Sequence, residues 1–300
     1  MIAGPTATGK SEVAVEVASQ AGGEIVNADS VQLYKHCDIG TAKPPKELRE
    51  MVPHYLYDIL EPDIRFSAGE YEKLAETMVV SIAKRDRLPI VVGGTGLYIK
   101  ALLWGLSISA RREPRVRERL EREWQSSKEG LYQRLLQVDP EYGSKLSPND
   151  KTRIIRALEI FETTNTPPSS FSQWSPKSWI TPITVALDLP RERLKERIEK
   201  RAESMVEMGL IEETKKILSM GYPKDSPPLQ AIGYRQVVQH LEGKLSKDQM
   251  IAELKKATWK YSKRQRTWFK KESFTWVNAE ERDIAVKRIK AMVSQESRKG

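Results

Sequence analysis

The chain has 300 residues, of which 39% are hydrophobic and 30% carry a charge. That length and apolar content suit one or two globular domains with a substantial core. No apolar run approaches the roughly 18 residues that a membrane span requires. The first apolar stretch ends at Gly4, too early for a secretory signal. We therefore expect a cytoplasmic protein without membrane association.

Cysteine content and net charge narrow the classes of function. The single cysteine, Cys37, excludes an internal disulfide framework and a multi-cysteine zinc site. The formal net charge of +9 favours a polyanionic partner such as nucleic acid. Basic residues concentrate in two segments, Arg111–Arg122 and Lys255–Lys271, and we expect the polyanion to bind there.

Strand signals recur along most of the chain. Helical spacing separates them, as at Val13, Val17 and Ala21, and this alternation predicts an α/β fold with a parallel sheet flanked by helices. We expect the second strand to lie beside the first. We also expect a short first strand, because only three residues precede Gly4 and a buried strand usually has about five to six. The predicted buried strands are the five apolar, β-branched runs Met1–Ala3, Glu24–Ala28, Ile90–Val92, Ile183–Asp188 and Phe274–Val277.

The pattern changes between residues 107 and 178, where strand signals vanish. Charged amphipathic helices are predicted over Pro114–Glu123 and Asp150–Glu162. We interpret 107–178 as an all-helical insertion in a discontinuous α/β core made of residues 1–106 and 179–300. After the last strand, a C-terminal helix is expected from Ala279.

The strongest local motif is Gly-Pro-Thr-Ala-Thr-Gly-Lys-Ser at residues 4–11, which has the phosphate-loop pattern G-x-x-x-x-G-K-[ST]. Its glycines let backbone N–H groups converge on phosphate oxygens, and the helix that follows adds its positive end. Lys10 supplies a point charge and the Ser11 hydroxyl suits Mg²⁺. The motif predicts a site for a di- or triphosphate, ATP included.

Two further residues follow predicted strands and face the same edge of the sheet. Asp29 follows the run Ile25-Val26, so it lies where open α/β sheets bind ligands. Its carboxylate suits a general base or a Mg²⁺ ligand, and a helix N-cap is the structural alternative. Thr95 lies in a glycine-rich turn after Val92 and is expected to point into the same crevice.

A basic and aromatic stretch covers Trp259–Lys270. Arginine and lysine pair with phosphates, and aromatic rings stack on extruded bases. The alternative is a solvated helix with Trp259 and Trp268 in the core. Composition alone leaves both interpretations open.

Together, these ordered motifs resemble the tRNA dimethylallyltransferase family, also called tRNA isopentenyltransferases, over Gly4 to about Phe269. Beside the phosphate loop, the resemblance rests on six further motifs. They are Asp-Ser-x-Gln-x-Tyr at 29–34, Asp-Ile-Gly-Thr-Ala-Lys-Pro at 38–44, Val-Gly-Gly-Thr-x-Leu-Tyr at 92–98, Arg-x-x-Arg-Ala-Leu-Glu at 153–159, Gly-Tyr-Arg at 233–235 and Lys-Arg-Gln-x-Thr-Trp at 263–268. One cysteine cannot form the zinc finger of eukaryotic members, so the resemblance is to the bacterial type.

The resemblance implies a P-loop-kinase-like core and an inserted helical domain. It implies that the phosphate loop holds the pyrophosphate of dimethylallyl diphosphate, with Mg²⁺ as cofactor. The acceptor would be the exocyclic amine of the adenosine 3′ of the anticodon in tRNA. A monomer that binds the anticodon stem-loop is expected.

The resemblance also assigns roles residue by residue. The catalytic residues would be Lys10, Asp29 and Thr95, and the metal ligand Ser11, with Asp29 as a second candidate. The diphosphate would be bound by Gly4, Pro5, Thr6, Ala7, Thr8, Gly9, Lys10, Ser11 and Arg201. The tRNA would be bound by Asp29, Ser30, Val31, Gln32, Thr95, Arg117, Thr152, Arg153, Ile154, Ile155, Arg156, Gln230, Ala231, Ile232, Gly233, Tyr234, Arg235, Lys263, Arg264, Gln265, Arg266, Thr267, Trp268, Phe269 and Lys270.

Three other functions use some of the same motifs. An adenylate isopentenyltransferase would prenylate free nucleotides, but a mononucleotide needs neither the insertion nor the basic aromatic helix. A small-molecule kinase would use the phosphate loop for ATP. A non-catalytic RNA-binding protein would keep the loop as a relic.

Overall fold

The computed structural model describes residues 1–106, 113–171 and 177–296. Among these residues, six parallel strands form one sheet in the order β3-β2-β4-β1-β5-β6. The strands are β1 Ile2–Ala3, β2 Gly23–Asn27, β3 His54–Tyr55, β4 Leu88–Val92, β5 Val185–Asp188 and β6 Thr275–Asn278. The predicted parallel α/β fold is confirmed.

Helices separate the strands along the chain. In chain order they are α1 Lys10–Ala21, α2 Lys46–Met51, α3 Ala68–Ala83, α4 Gly96–Trp104, α5 Pro114–Ser126, α6 Lys128–Val138, α7 Pro140–Gly143, α8 Lys151–Thr164, α9 Arg191–Glu207, α10 Leu210–Ser219, α11 Tyr234–Leu241, α12 Lys247–Phe269 and α13 Arg282–Glu296. Two short 3₁₀ helices span Pro168–Ser170 and Pro228–Gln230.

Three expectations about elements were wrong. The second strand does not lie beside the first, because β4 pairs with both and separates them. The strand β3 was missed, because His54-Tyr55 is too short to show an apolar run. The C-terminal helix begins at Arg282 rather than Ala279, because the amide of Ala279 still donates to the carbonyl of Asp188 and continues the β5–β6 pairing.

The chain divides into two compact units. One contains Met1–Leu103 together with the chain from Ser178 onward, and the other spans Trp104–Lys177. In the first unit, apolar residues of the sheet such as Ile2 and Ile25 pack against helical residues such as Val13 and Val286. The sheet core therefore holds the carboxyl ends of the strands at one edge.

The unit Trp104–Lys177 has a helical core of its own. Leu120 of α5, Leu135 of α6 and Leu158 of α8 are all fully buried there. The predicted helices correspond to α5 and α8. Asp150 is the N-cap of α8, because its carboxylate accepts a hydrogen bond from the amide of Arg153 at 3.2 Å.

Across the described ranges, no helix combines the length and the apolar character that crossing a membrane would require.

Gly93 lies at the closest approach between the ends of β2 and β4. A Cβ built there would lie 2.2 Å from the carbonyl oxygen of Ala28, well inside van der Waals contact. We expect Gly93→Ala to lower the free energy of unfolding by about 2–3 kcal/mol, because backbone must move to relieve the clash. Denaturant unfolding measures this. Gly221→Ala is the control for backbone strain without a clash, since Gly221 has φ 90° and a Cβ there meets nothing within 4 Å. Equal, small losses in the two variants would contradict the steric argument.

Candidate active site

The loop between β1 and α1 adopts a backbone conformation that most residues avoid. Gly4 has φ 133° and Gly9 has φ 85°, and a Cβ at Gly4 would lie 2.4 Å from the carbonyl oxygen of Leu187. Glycine is required at Gly4 for both reasons. Helix α1 begins directly after Gly9, so its positive end and the loop amides face the same space.

Two cations stand beside this loop. The Lys10 ammonium donates to the carbonyl of Pro5 at 2.7 Å, and the Arg201 guanidinium donates to the hydroxyl of Thr6 at 3.3 Å. Burial, together with the nearby charge of Arg201, lowers the pKa of Lys10 to about 8. Burial also lowers the pKa of Arg201. Two confined cations that destabilise each other form a site that an anion would stabilise.

Asp29 lies two residues beyond the end of β2. Its amide donates to the side-chain oxygen of Asn27 at 2.9 Å, and one of its carboxylate oxygens accepts from the amide of Val31 at 2.9 Å. Asn27 is fully buried and also donates to the carbonyl of Leu56 at 2.9 Å. No helix begins at Asp29, so the carboxylate holds a turn and is not a helix N-cap.

Thr95 links the segments that follow β2 and β4. Its hydroxyl oxygen accepts from the amide of Ser30 at 3.0 Å, and its amide donates to the carbonyl of Ala28 at 3.2 Å. The hydroxyl of Thr95 also donates to the hydroxyl of Ser30 at 3.3 Å. The hydroxyl of Thr95 is therefore held in a fixed position close to the segment that carries Asp29.

Gln265 joins the phosphate loop to the loop after β4. Its side-chain oxygen accepts from the amide of Thr6 at 2.8 Å, and its side-chain nitrogen donates to the carbonyl of Gly94 at 2.9 Å. The side chain is buried. The resemblance assigned Gln265 to tRNA binding, whereas here its amide group satisfies the backbone of two loops.

These elements enclose a pocket of about 390 Å³. The phosphate loop, Asp29 and Gln32 line it together with the segment Thr41–Pro45 and four side chains of other elements, Tyr57, Arg197, Arg201 and Tyr261. Of the three predicted catalytic residues, Lys10 and Asp29 line the pocket. Thr95 does not line it, but its side chain bonds to Ser30, the residue after Asp29.

Sequence reasoning missed Tyr57, Tyr261 and Arg197. Tyr57 follows the two-residue strand β3, which carried no signal. Tyr261 lies within the basic aromatic stretch, and Arg197 is one helical turn before Arg201, so both were within reach of a periodicity argument. Burial raises the pKa of both tyrosines, which keeps them neutral at physiological pH.

The other predicted residues of α12 divide by helical face. Lys263, Arg264, Thr267 and Lys270 are exposed, whereas Phe269 is fully buried. Arg264 lies 5.6 Å from the centre of the Tyr261 ring. Arg266 pairs with Asp188 at 2.6 Å, and Trp268 packs so closely on Gly96 that a Cβ there would lie 2.5 Å from its ring. The outward face is a basic surface and the inward face is core.

The predicted segment Gln230–Arg235 divides in the same way. Gln230 and Arg235 are exposed, and Ala231 and Ile232 are half-buried. Gly233 has φ 103° and precedes α11. Tyr234 is fully buried, and its hydroxyl donates to the carboxylate of Glu213 at 2.6 Å.

The predicted residues of the second unit surround a buried carboxylate. Glu159 accepts from Arg156 at 2.9 Å and pairs with Arg117 at 3.6 Å. Ile154 and Ile155 are fully buried in the helical core, whereas Thr152 and Arg153 are exposed. Two residues of the predicted basic segment, Arg111 and Arg112, lie outside the described residues.

The sheet order and the loop after β1 define a phosphate-loop α/β protein with a second, helical unit. The family model described as IPP transferase matches residues 32–272. The chain belongs to the IPP transferase family, and the resemblance seen in the sequence is confirmed.

Several similar proteins carry informative names. A tRNA dimethylallyltransferase of Thermoanaerobacter sp. (strain X514) is 44% identical over 276 residues, 90% of this chain and 88% of its own. A tRNA dimethylallyltransferase of Syntrophobacter fumaroxidans is 42% identical over 96% of this chain and 86% of its own.

Solved structures show the same fold. The full-length tRNA isopentenylpyrophosphate transferase of Bacillus halodurans superimposes with a TM-score of 0.73 at 35% identity, over 98% of this chain and 94% of its own. A eukaryotic dimethylallyltransferase acting on tRNA gives a TM-score of 0.76 at 27% identity, over 93% and 73% respectively.

The lowered pKa of Lys10 predicts a pH dependence of anion binding. Above a pH of about 8 the free protein loses the Lys10 proton, which the bound anion needs. Pyrophosphate affinity should therefore fall by up to about tenfold per pH unit above that point. Calorimetry from about pH 7 to about pH 9.5 measures it, with Lys10→Arg as control because arginine stays charged. The protonation of pyrophosphate itself changes with pH in the same way for both proteins, so it does not affect the comparison. The same fall in the control variant would contradict the assignment to Lys10.

Proposed function

We propose that this protein transfers the dimethylallyl group of dimethylallyl diphosphate to the exocyclic amine of the adenosine 3′ of the anticodon in tRNA, and releases pyrophosphate. The observation that carries the proposal is the meeting of the phosphate loop, Lys10, Arg201 and Asp29 in one pocket. The names of the similar proteins support the same reaction.

The pocket supplies what a diphosphate leaving group needs. As the bond between the allylic carbon and oxygen breaks, negative charge grows on the pyrophosphate. Lys10, Arg201 and the phosphate loop line the pocket, so they would stabilise that charge as it develops. Burial and the nearby charge of Arg201 lower the pKa of Lys10, so an anion bound beside the two cations would offset an unfavourable environment.

The acceptor side needs a group that takes a proton. An aromatic amine is a poor nucleophile, and its proton must leave as the new bond to carbon forms. We assign that role to the carboxylate of Asp29, which lines the pocket beside the phosphate loop. The adenosine must leave its stack to reach this position.

The residues that line the pocket suit a Mg²⁺ ion held mainly by the diphosphate of the prenyl donor. Ser11 and Asp29 supply two oxygen ligands at the pocket. Within the described ranges, no three histidine, cysteine or acidic side chains are grouped to hold a metal. Mg²⁺ commonly binds through one or two carboxylates, waters and substrate phosphates, and when bound it would neutralise charge on the leaving pyrophosphate.

The exposed basic residues supply contacts for the RNA backbone. Lys263, Arg264 and Lys270 form a basic surface on α12, and we assign it to the phosphates of the anticodon stem-loop. In the helical unit, we assign Arg117 and the exposed Arg153 to the same partner. A tRNA substrate implies a cytoplasmic location, and we propose that a monomer is the functional form.

The direct test incubates the protein with dimethylallyl diphosphate, Mg²⁺ and unmodified tRNA, and then weighs the nucleosides after digestion. The proposal requires one adenosine per tRNA to gain a dimethylallyl group. Prenylation of AMP in place of tRNA would favour an adenylate isopentenyltransferase, and ATP turnover on a small molecule would favour a kinase. RNA binding without any reaction would favour a non-catalytic RNA-binding protein.

Asp29→Asn separates the two chemical roles of this residue. Asparagine keeps the shape and the bond to Val31 but cannot take the proton. We expect the single-turnover transfer rate to fall by about 10²–10⁴-fold with little change in affinity for tRNA or diphosphate. Rapid-quench measurements at two Mg²⁺ concentrations provide the test.

The outcomes of that measurement are distinct. A fall in diphosphate affinity that extra Mg²⁺ partly restores would make Asp29 chiefly a metal ligand. A variant that keeps most of its rate would remove Asp29 from the mechanism. Asp63→Asn, an exposed carboxylate outside the pocket, is the matched control.

Arg264→Ala tests the basic surface of α12. If about five phosphates are contacted, log K for tRNA should fall with log salt at a slope of several units, and loss of one contact should reduce the slope by about one. Diphosphate affinity should stay unchanged. Lys247→Ala is the control, because it is exposed on the same helix about 25 Å away along the axis. A slope unaltered by Arg264→Ala would show that this charge is only solvated surface.

A further inference from the structure

The carboxylate of Glu213, on α10, accepts four hydrogen bonds. One oxygen accepts from the amides of Asp38 at 3.0 Å and Ile39 at 2.9 Å. The other accepts from the amide of Gly40 at 3.1 Å and from the hydroxyl of Tyr234 at 2.6 Å. Three successive backbone donors thus converge on a single side chain, an arrangement typical of anion-binding concavities.

The loop at residues 38–40 is packed closely against Tyr234. The ring of Tyr234 covers Gly40, and a Cβ at Gly40 would lie 2.4 Å from that ring. Tyr234 is fully buried. The motifs Asp-Ile-Gly and Gly-Tyr-Arg, far apart in sequence, therefore meet at Glu213.

The loop at residues 38–40, whose amides bind Glu213, continues directly into the wall of the active-site pocket. Residues Thr41–Pro45 line the pocket that the phosphate loop also lines. Gln32 ties the wall to the segment after β2, because its side-chain nitrogen donates to the carbonyls of Thr41 at 3.0 Å and Ala42 at 3.1 Å. Asp29 begins that same segment.

The wall also contains a buried lysine. The ammonium of Lys43 donates to the carbonyl of Tyr34 at 2.6 Å and to the carboxylates of Asp38 at 2.9 Å and Asp58 at 2.5 Å. Asp38 is one of the residues whose amide Glu213 holds. The wall is therefore fixed at its start by Glu213 and further along by Gln32 and the Lys43 network.

We propose that Glu213 is a positioning residue: by holding the amides of residues 38–40 it fixes the pocket wall 41–45 against Gln32, and thereby the geometry between donor and acceptor. Its effect on turnover rests on the proposed function. A carboxylate is needed because hydrogen bonds to a charged acceptor are about twice as strong as neutral ones. An uncharged amide at this position would turn N–H groups toward backbone N–H groups.

The test compares Glu213→Gln with Glu212→Gln, the neighbouring residue on the same helix. Glu212 is exposed and pairs with Lys215 at 3.8 Å. Amide hydrogen exchange followed by mass spectrometry reads the loop directly. We expect the amides of residues 38–40 to exchange at least about tenfold faster in Glu213→Gln and to be unchanged in Glu212→Gln.

Activity and binding measurements separate positioning from general instability. In Glu213→Gln the single-turnover transfer rate should fall by up to about 100-fold, because small misplacement of reacting groups is costly. Its affinity for tRNA and its melting temperature should stay close to those of the wild type. In Glu212→Gln the transfer rate should stay within about twofold of the wild type, because Glu212 is exposed and holds no amide of the loop.

Three results would overturn the proposal. One is wild-type exchange and rate in Glu213→Gln. Another is a joint fall in the melting temperature, the tRNA affinity and the transfer rate of Glu213→Gln that also occurs in Glu213→Asp, although the aspartate variant keeps the charge. The third applies if the glutamine variant does not fold: loop exchange and transfer rate that change independently in Glu213→Asp, one staying at the wild-type level and the other not. If the wild type prenylates no substrate while residues 38–40 still exchange faster in Glu213→Gln, the proposed function is wrong. The role of Glu213 in holding this loop would nevertheless be supported.

Discussion

The active site depends on how three loops satisfy their backbone groups at one edge of a parallel sheet. The loops after β1, β2 and β4 converge there, and each leaves amides and carbonyls without a partner from the sheet. The side-chain oxygen of Thr95 accepts from the amide of Ser30, and the side chain of Gln265 bonds to both Thr6 and Gly94. Unpaired buried backbone groups are costly, so these few side chains hold the three loops together.

The electrostatics of the pocket follow from the same convergence. Lys10 and Arg201 are brought close to the phosphate loop where burial makes their charges unfavourable, and burial lowers the pKa of both. Asp29 and Glu12 offset part of this cost, because their charges raise the same two pKa values. An anionic ligand bound beside Lys10 and Arg201 would complete the compensation.

The same helix often contributes to both the core and the surface of this protein. On α12, Gln265 and Phe269 face inward while Lys263 and Arg264 are exposed. Around α11, Tyr234 is buried against Gly40 while Arg235 is exposed. A family motif that covers several consecutive residues therefore combines exposed residues with buried residues that support the fold, and only burial and hydrogen bonding separate the two.

Local signals in the sequence determined much of the architecture. Five of the six strands, the phosphate loop and the division into a sheet and a helical segment are visible in apolar runs, glycine spacing and helical periodicity, because these depend on neighbouring residues. Tertiary structure decided what depends on distant ones. It placed β4 between β1 and β2, a choice that hydrogen-bond pairing makes and composition does not. It also turned Gln265 and Tyr234 inward and brought Glu213 to the amides of residues 38–40, because those contacts join chain segments more than 150 residues apart in sequence.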